Sequence, residues 1–488
     1  MHSTYKVLVL LWIGTLAPFR PSHAQQTPPA SPQEHTHHHV DIQPVQALFP
    51  RMGRAQEQAH EKLFTLDDAQ NLAAESNPTL RQAKAEIRAA KARIQQAGLY
   101  PNPSIGYTGD EIRGGSIDGG KQGFFLEQTI VTGGKLGKAR NVFAEESRLA
   151  QLEAEEQQLR VENAVKTSYY RVLAAQELLD TRRDLAQIEQ NYADVQGQLC
   201  NTGQADETEV LEAEVDAQRA RLGARMQENT LREEWKSLTA VLGRPDLPLA
   251  TVSGDLQHNW PEINEGQIIE SIAAQSPATR IADAASVRAA AEMTRAKSQA
   301  IPDIQLRGGL EYNNEPLGTA PYAIGWEGIA EASVQIPIFN RNQGNVMAAS
   351  ADLDRAQLEK QRIALTLRER ASTVVDEYAN GRLMAVQYRD EILPRAQKAY
   401  SLMSEKYGRM LASYPRVLQS QLKLFQLHAD YIQSLESLWI AGIALQGFLL
   451  TDGLESPARP GEIDRPIRET NVPMPERTMS PLDSLSRP

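Results

Sequence analysis

The chain has one cysteine, Cys200, among 488 residues. That excludes an internal disulfide framework and a cysteine metal cluster. Aromatic residues make up only 6%, which favours extended helices over a compact aromatic-rich core. Basic residues are in deficit, and the formal net charge of −11 argues against a nucleic-acid-binding protein. No GxSxG, HExxH, P-loop or paired-cysteine motif occurs, so nothing supports catalysis and no cofactor is expected. Beyond the N-terminus there is no run of roughly 18 uncharged apolar residues, the length a membrane-spanning helix needs. Between Lys135 and Leu199 there is no proline, and glycine occurs only at Gly137 and Gly197.

The first residues have the pattern of a secretory signal. Lys6 supplies the basic region, Val7 to Ala17 the apolar run, and Ser22-His23-Ala24 a small-x-small cleavage site, giving a signal peptide over 1–24. No cysteine follows that site, which excludes a bacterial lipid anchor there. Residues 25–62 form a His/Pro/Gln-rich leader without periodicity, expected to be disordered. His35, His37, His38 and His39 lie in it; a mobile run lacks the fixed geometry that selects a metal, so a solvated polar tract is the simpler reading. Residues 453–488 are rich in proline and charge and read as a disordered tail.

The body of the chain alternates two kinds of pattern. In IPDIQLRGGLEY, Ile304, Leu306, Gly308, Leu310 and Tyr312 share one strand face and Gln305, Arg307 and Glu311 the other. After a polar loop, Trp326, Ala330, Ala332, Val334 and Ile336 alternate with Glu327, Glu331, Ser333 and Gln335. This predicts a β-hairpin over about 303–337, with strands of about ten residues, enough to cross a bilayer when tilted. SIGYTGDEI and FFLEQTIV predict another over about 103–131, with Tyr107, Phe124 and Phe125 as interface aromatics. Around the hairpins the period is helical. Thr65 to Asp68 reads as a capping box; Leu80, Ala83, Ile87, Ala90 and Ile94 follow at three-four spacing behind Pro78. The proline-free stretch from Lys135 predicts a helix about 100 Å long at 1.5 Å per residue. A turn at CNTGQA and a second capping box at Asp206 to Glu209 begin its return. A further long helix, from Gln343 to about Gly408, holds Pro394, which should kink it.

The second half repeats the first. Asn264, Gln267, Pro277 and Pro302 stand 199 residues after Thr65, Asp68, Pro78 and Pro103; after the hairpin the shift becomes 207, as for Gly137 and Gly344 or Val210 and Val417. The repeats are expected at 63–250 and 262–452. Each reads helix, β-hairpin, long helix, turn, helix: mainly α with a small β part. One chain thus owns four membrane-length strands, which cannot close a barrel, and an open edge in lipid leaves backbone groups unpaired. If the strands enter a membrane, several chains share one barrel.

On GLYPNPSI (98–105), EQTIVTGGK (127–135), IPDIQLRGGLEY (301–312), VQIPIFNRNQG (334–344) and EILPRAQKAY (391–400), the chain resembles the TolC-like outer-membrane channel family over about residues 63–452. The phrases around Pro302, Phe339 to Gly344 and Pro394 resemble its heavy-metal, CzcC-like branch. The resemblance implies a homotrimer, with a 12-stranded β-barrel in outer-membrane lipid of a Gram-negative bacterium and an α-helical barrel in the periplasm. It implies docking to a periplasmic adaptor and an inner-membrane resistance-nodulation-division (RND) pump, with no enzymatic role. It also puts the periplasmic end at the turns Leu199–Val210 and Tyr407–Val417. There Asp206, Glu207 and Glu209 are candidates for an acidic ring that attracts cations, against the alternative that Asp206 and Glu209 only cap a helix. Tyr407, Arg409 and Tyr414 are candidates for tip closure, against ordinary surface. The second turn, YGRMLASYP, lacks the carboxylates that family members often carry.

Metal cations are the expected cargo; drugs or secreted polypeptides are alternatives within the family. A soluble periplasmic coiled-coil scaffold is the alternative of another class, but it has no use for membrane-length strands bounded by aromatics. His428 sits among helical seam residues and reads as a packed imidazole. Cys200, His60 and His258 have no ligand spacing.

Overall fold

The structure is a computed structural model that describes residues 63–112, 120–316 and 322–456. The signal segment, the His-rich leader, and the tail beyond 456 lie outside the described residues. The first repeat comprises α1 (Leu66–Ser76), α2 (Pro78–Ala97), β1 (Ser104–Asp110), β2 (Lys121–Ile130), α3 (Lys135–Asn201) and α4 (Glu207–Val241). The second comprises α5 (Glu265–Gln275), α6 (Pro277–Ser298), β3 (Ile304–Pro316), β4 (Ala323–Val334), α7 (Gln343–Gln387), α8 (Leu393–Gly408) and α9 (Tyr414–Gln446). Among the described residues, no helix is long and apolar enough to cross a membrane.

Local chemistry sets the boundaries. Thr65 and Asp68 form the capping box, with the Asp68 amide donating to Thr65 Oγ1 at 3.1 Å. Pro78 and Pro277 each stand in the first turn of a new helix, behind the caps Asn77 and Ser276, where a missing N–H costs nothing. The second capping box does not form: Asp206 is the N-cap residue of α4, but its side chain makes no capping bond. Asp206 and Glu209 are both exposed, and water competes for their carboxylates. Pro394 interrupts the regular α-helical bonding of the second long helix. It has no N–H for the carbonyl four residues back and its ring crowds that carbonyl. The turn before it widens to a π turn over Tyr388–Ile392, and the helix continues as α8.

The four strands form one antiparallel sheet in the order β1-β2-β3-β4, and β2–β3 pairing joins the two repeats. The strand-to-helix hinge is fixed by left-handed residues immediately before α3 and α7, Gly134 at φ 67° and Asn342 at φ 58°. These equivalent residues lie 208 apart, so the shift of 207 is one short at the hinge; it holds at the far turn, where Asp206 and Ser413 are the N-caps of α4 and α9. A buried Lys135 ties the first hinge to the residue just before β3: its Nζ lies 2.9 Å from Asp303 Oδ1, which also accepts the Thr132 amide at 2.9 Å.

The main core lies around the middle of α3 and joins α1, α4, α5, α7, α9 and the inter-repeat linker. Aromatic side chains with polar tips pin that linker, their rings buried and their donors satisfied. Trp235 Nε1 donates to Leu247 O at 3.2 Å, Trp439 Nε1 to Leu256 O at 2.9 Å, and the Tyr378 hydroxyl to Pro261 O at 2.6 Å. Phe64 and Val252 form one parallel bridge, and the Tyr169 hydroxyl donates to Phe64 O at 2.8 Å. Because Tyr378 is buried, Tyr378→Phe strands the Pro261 carbonyl. It should cost about 1–3 kcal/mol, read as a lower thermal unfolding midpoint in detergent, whereas Tyr107→Phe, at an exposed site, should change it little.

Candidate functional site

The register divides the sheet into two unlike faces. Ile105 and Tyr107, Phe124 and Leu126, Leu306 and Leu310, and Trp326 and Val334 all fall on one face. Every one of them is exposed, from 43% for Leu306 to 80% for Ile105. Such a continuous apolar face is disfavoured in water. Its aromatics pair across strands, Tyr107 with Phe124 at 5.8 Å and Tyr312 with Trp326 at 5.5 Å, both edge-to-face.

The other face is polar. Asp110, Glu127, Glu311, Glu327 and Glu331 share it with Lys121 and Arg307, an excess of carboxylates. The Arg307 guanidinium lies 3.8 Å from the centre of the Phe125 ring and 3.9 Å from Glu331. Lys121 is 3.6 Å from Glu327, whose other oxygen is 3.4 Å from the amide nitrogen of the buried Asn313. The Phe125 ring covers Gly106 so closely that no Cβ fits there. Phe125, a large apolar residue on the polar face, is thus roofed by glycine backbone and a cation.

At the opposite end of the long helices lie the two turns. Both close the same way. The Gln204 amide donates to Leu199 O at 2.8 Å, and the Leu411 amide to Lys406 O at 2.8 Å, the C-terminal Schellman arrangement with a left-handed residue. That residue is Gly203 in the first turn and Met410, at φ 58°, in the second. Asp206, Glu207 and Glu209 are exposed beside the first turn. Arg409 does not bridge to another helix; it pairs with Glu405 of its own helix at 2.5 Å. Tyr407 and Tyr414 do meet, with ring centroids 5.5 Å apart, and Tyr414 stacks on Tyr192 of α3 at 5.6 Å. Burial, then the neighbouring Tyr407 and Tyr192, hold the Tyr414 hydroxyl above its ordinary value. Tyr192 lies within the proline-free stretch of α3, and its partnership with the distant turn has no local signal in the sequence.

Among the described residues, no group of three His, Cys, Asp or Glu side chains could hold a metal ion. His428 is partly buried near Tyr431, and burial lowers its pKa. The most perturbed carboxyl lies mid-helix. Burial, with Asp255 and Asp180 nearby, pushes Glu177 up to about 7. The folded state therefore holds this proton between about pH 4.5 and 7, where the unfolded chain releases it. The associated stability is present below that window and lost as pH rises through it. Glu177→Gln should flatten the fall in thermal stability from pH 5 to 8 and raise stability at pH 8 by roughly 1–3 kcal/mol, measured by unfolding of both proteins across that range.

The sheet thus carries one apolar and one charged face, the alternation that strands of a membrane β-barrel also have. Residues 69–244 match the family model described as outer membrane efflux protein. The chain is 25% identical over 386 residues to the cobalt-zinc-cadmium resistance protein CzcC of Cupriavidus metallidurans, covering 79% of this chain and 90% of that one. Its fold is similar to that of CusC, solved in a study of folding and transmembrane channel formation, with a TM-score of 0.63 at 18% identity, covering 81% of this chain and 95% of CusC. It is likewise similar to the CmeC outer membrane channel of Campylobacter jejuni, with a TM-score of 0.63 at 16% identity, covering 80% and 86% of the two chains. Over residues 69–244 the chain is thus similar to the outer membrane efflux protein family, and its fold is that of the solved channels.

Proposed function

We propose that three copies of this chain form an outer-membrane channel that passively conducts heavy-metal cations out of the periplasm. The sheet carries the reading: its apolar face suits lipid, while its two open edges, β1 and β4, need strands from other copies. Three copies supply twelve strands with the charged faces turned inward. The helices continue the conduit into the periplasm, where the turns near Asp206, Glu207, Glu209, Tyr407 and Tyr414 meet an adaptor protein coupled to an inner-membrane RND pump. The similarity to a cobalt-zinc-cadmium resistance protein and the carboxylate excess on the inner face favour cations as cargo.

Purified protein in a planar lipid bilayer should conduct, with cations preferred, and Glu327→Gln with Glu331→Gln should lower the cation-to-anion permeability ratio. No conductance under any gating condition would sink the channel reading. A deletion strain should grow poorly on zinc, cobalt, cadmium, nickel, copper or silver salts; sensitivity to antibiotics alone would remove the metal assignment. Leu126→Arg, on the apolar face, should cost about 2–4 kcal/mol if the residue lies near the bilayer midplane, seen as less assembled protein in the outer membrane. The same change at the exposed Leu249, in the linker between the repeats, should leave assembly intact.

A further inference from the structure

The charge of the chain is unevenly placed. Its net charge is −11, yet the four stretches that flank the junctions between sheet and helices hold no Asp or Glu. These are 87–109, 128–144, 293–302 and 332–351. They hold three, three, two and one Lys or Arg residues respectively. One exposed cation from each lies close to the sheet: Lys91 on α2, Arg140 on α3, Lys297 on α6 and Arg341 just before α7. Each is at most six residues from the helix end that meets the sheet, about 9 Å along the axis. The helix dipole accounts for only part of this. Lys297 stands in the last turn of α6, where a cation is favoured. Lys138 and Arg140 stand in the first two turns of α3 and oppose the dipole. The helices α1, α4 and α5 carry acidic residues in their first turns; α3 and α7 carry none. A helix start made more positive by its own side chains favours an anion beyond it.

Apolar surface reaches down to the same level. From Tyr312 to Ile304 the apolar face of β3 covers about 26 Å along the strand, or about 20 Å of depth at a tilt of about 40°. The apolar band of an outer-membrane barrel is about 25 Å tall, so the connectors below the strands must complete it. Tyr100, before β1, is 63% exposed; Ile336 and Phe339, after β4, are 73% and 90% exposed. The headgroup layer extends about 5–7 Å beyond the hydrocarbon, which is where the four cations follow. Resting on the outer-membrane reading above, we infer that Lys91, Arg140, Lys297 and Arg341 form a belt that binds anionic phospholipid headgroups in the leaflet facing the periplasm. The apolar face of the sheet continues into the connectors, and the belt beneath them is complementary in charge to a leaflet of net negative headgroups. It sets the depth at which the sheet rides, with the hinge residues Gly134 and Asn342 at headgroup level.

The test uses the full-length protein in phosphatidylcholine vesicles with a trace of spin-labelled lipid, either phosphatidylglycerol or phosphatidylcholine. Lipid touching the protein is read as the motionally restricted fraction. Phosphatidylglycerol should be enriched there several-fold, and about 1 M salt, which shortens the screening length to about 3 Å, should erase the enrichment. The combined Lys91→Gln, Arg140→Gln, Lys297→Gln and Arg341→Gln protein should bring the ratio of the two lipids close to one. A charge-matched protein with Arg183→Gln, Arg219→Gln, Arg221→Gln and Arg225→Gln, changed at exposed positions nearer the far turns, should keep it. Single changes at Arg140 and Arg341, each lowering the ratio, keep the test decisive if the combined protein does not assemble. Restricted lipid without headgroup preference, or equal losses in the two combined proteins, would overturn the belt and leave the membrane reading standing. So would an unchanged lipid ratio with an altered ion permeability ratio in the first combined protein, since the cations would then face the lumen. No restricted lipid at all would overturn the membrane reading itself.

Discussion

Backbone hydrogen bonding at a sheet edge is the constraint from which the rest follows. The sheet has two paired interior strands and two edges, and an N–H or C=O left unpaired in hydrocarbon costs several kcal/mol. Its apolar face is too large to leave in water, and its edges are too polar to leave in lipid. Only closure satisfies both. Pairing of β2 with β3 already performs closure once, between the repeats of one chain, with Ile130 opposite Ile304 and Gln122 opposite Tyr312. A wall built from duplicated units needs only to repeat that step.

The hinge carries the sheet geometry into the helices. A strand leaving the sheet must reverse twist within a few residues to start a helix, and a left-handed residue makes that turn at Gly134 and Asn342. The Lys135–Asp303 pair then fixes the first repeat's hinge against the start of β3 in the second. Removing the Asp303 carboxylate leaves the buried Lys135 ammonium without compensation, so the pair determines position more than it adds stability. Farther down, the aromatic donors that pin the inter-repeat linker hold the long helices at their midpoints.

Much of this was legible in the sequence because period-two and helical alternation are local. The hairpins, the proline-free helix and the Thr65 box each appear within a dozen residues. What escaped depended on partners far along the chain or on water. The 207 shift is one residue short at the hinge because side-chain type does not report backbone hand; the apolar-face residues are even-numbered in both β2 and β4, which requires an even shift. The Asp206 box failed because solvent competes for an exposed carboxylate. At Pro394 the proline rule predicts a broken bond but not its local form, a turn widened to π geometry over Tyr388–Ile392. Tyr407 and Tyr414 were singled out without Tyr192, which joins them from more than two hundred residues away.

The two repeats bury equivalent positions to different extents. A contact within a chain forms during folding, at a local concentration set by the chain itself, and there Leu418 and Phe425 of α9 pack with Ile188 of α3. Gln218 stands where Phe425 stands in the other repeat, beside the exposed Leu211, Val215 and Leu222. A polar residue at the centre of that open stripe limits promiscuous association in water, where a stripe of aromatics would invite it. The duplicated units thus keep one fold while the side chains on equivalent faces diverge with burial.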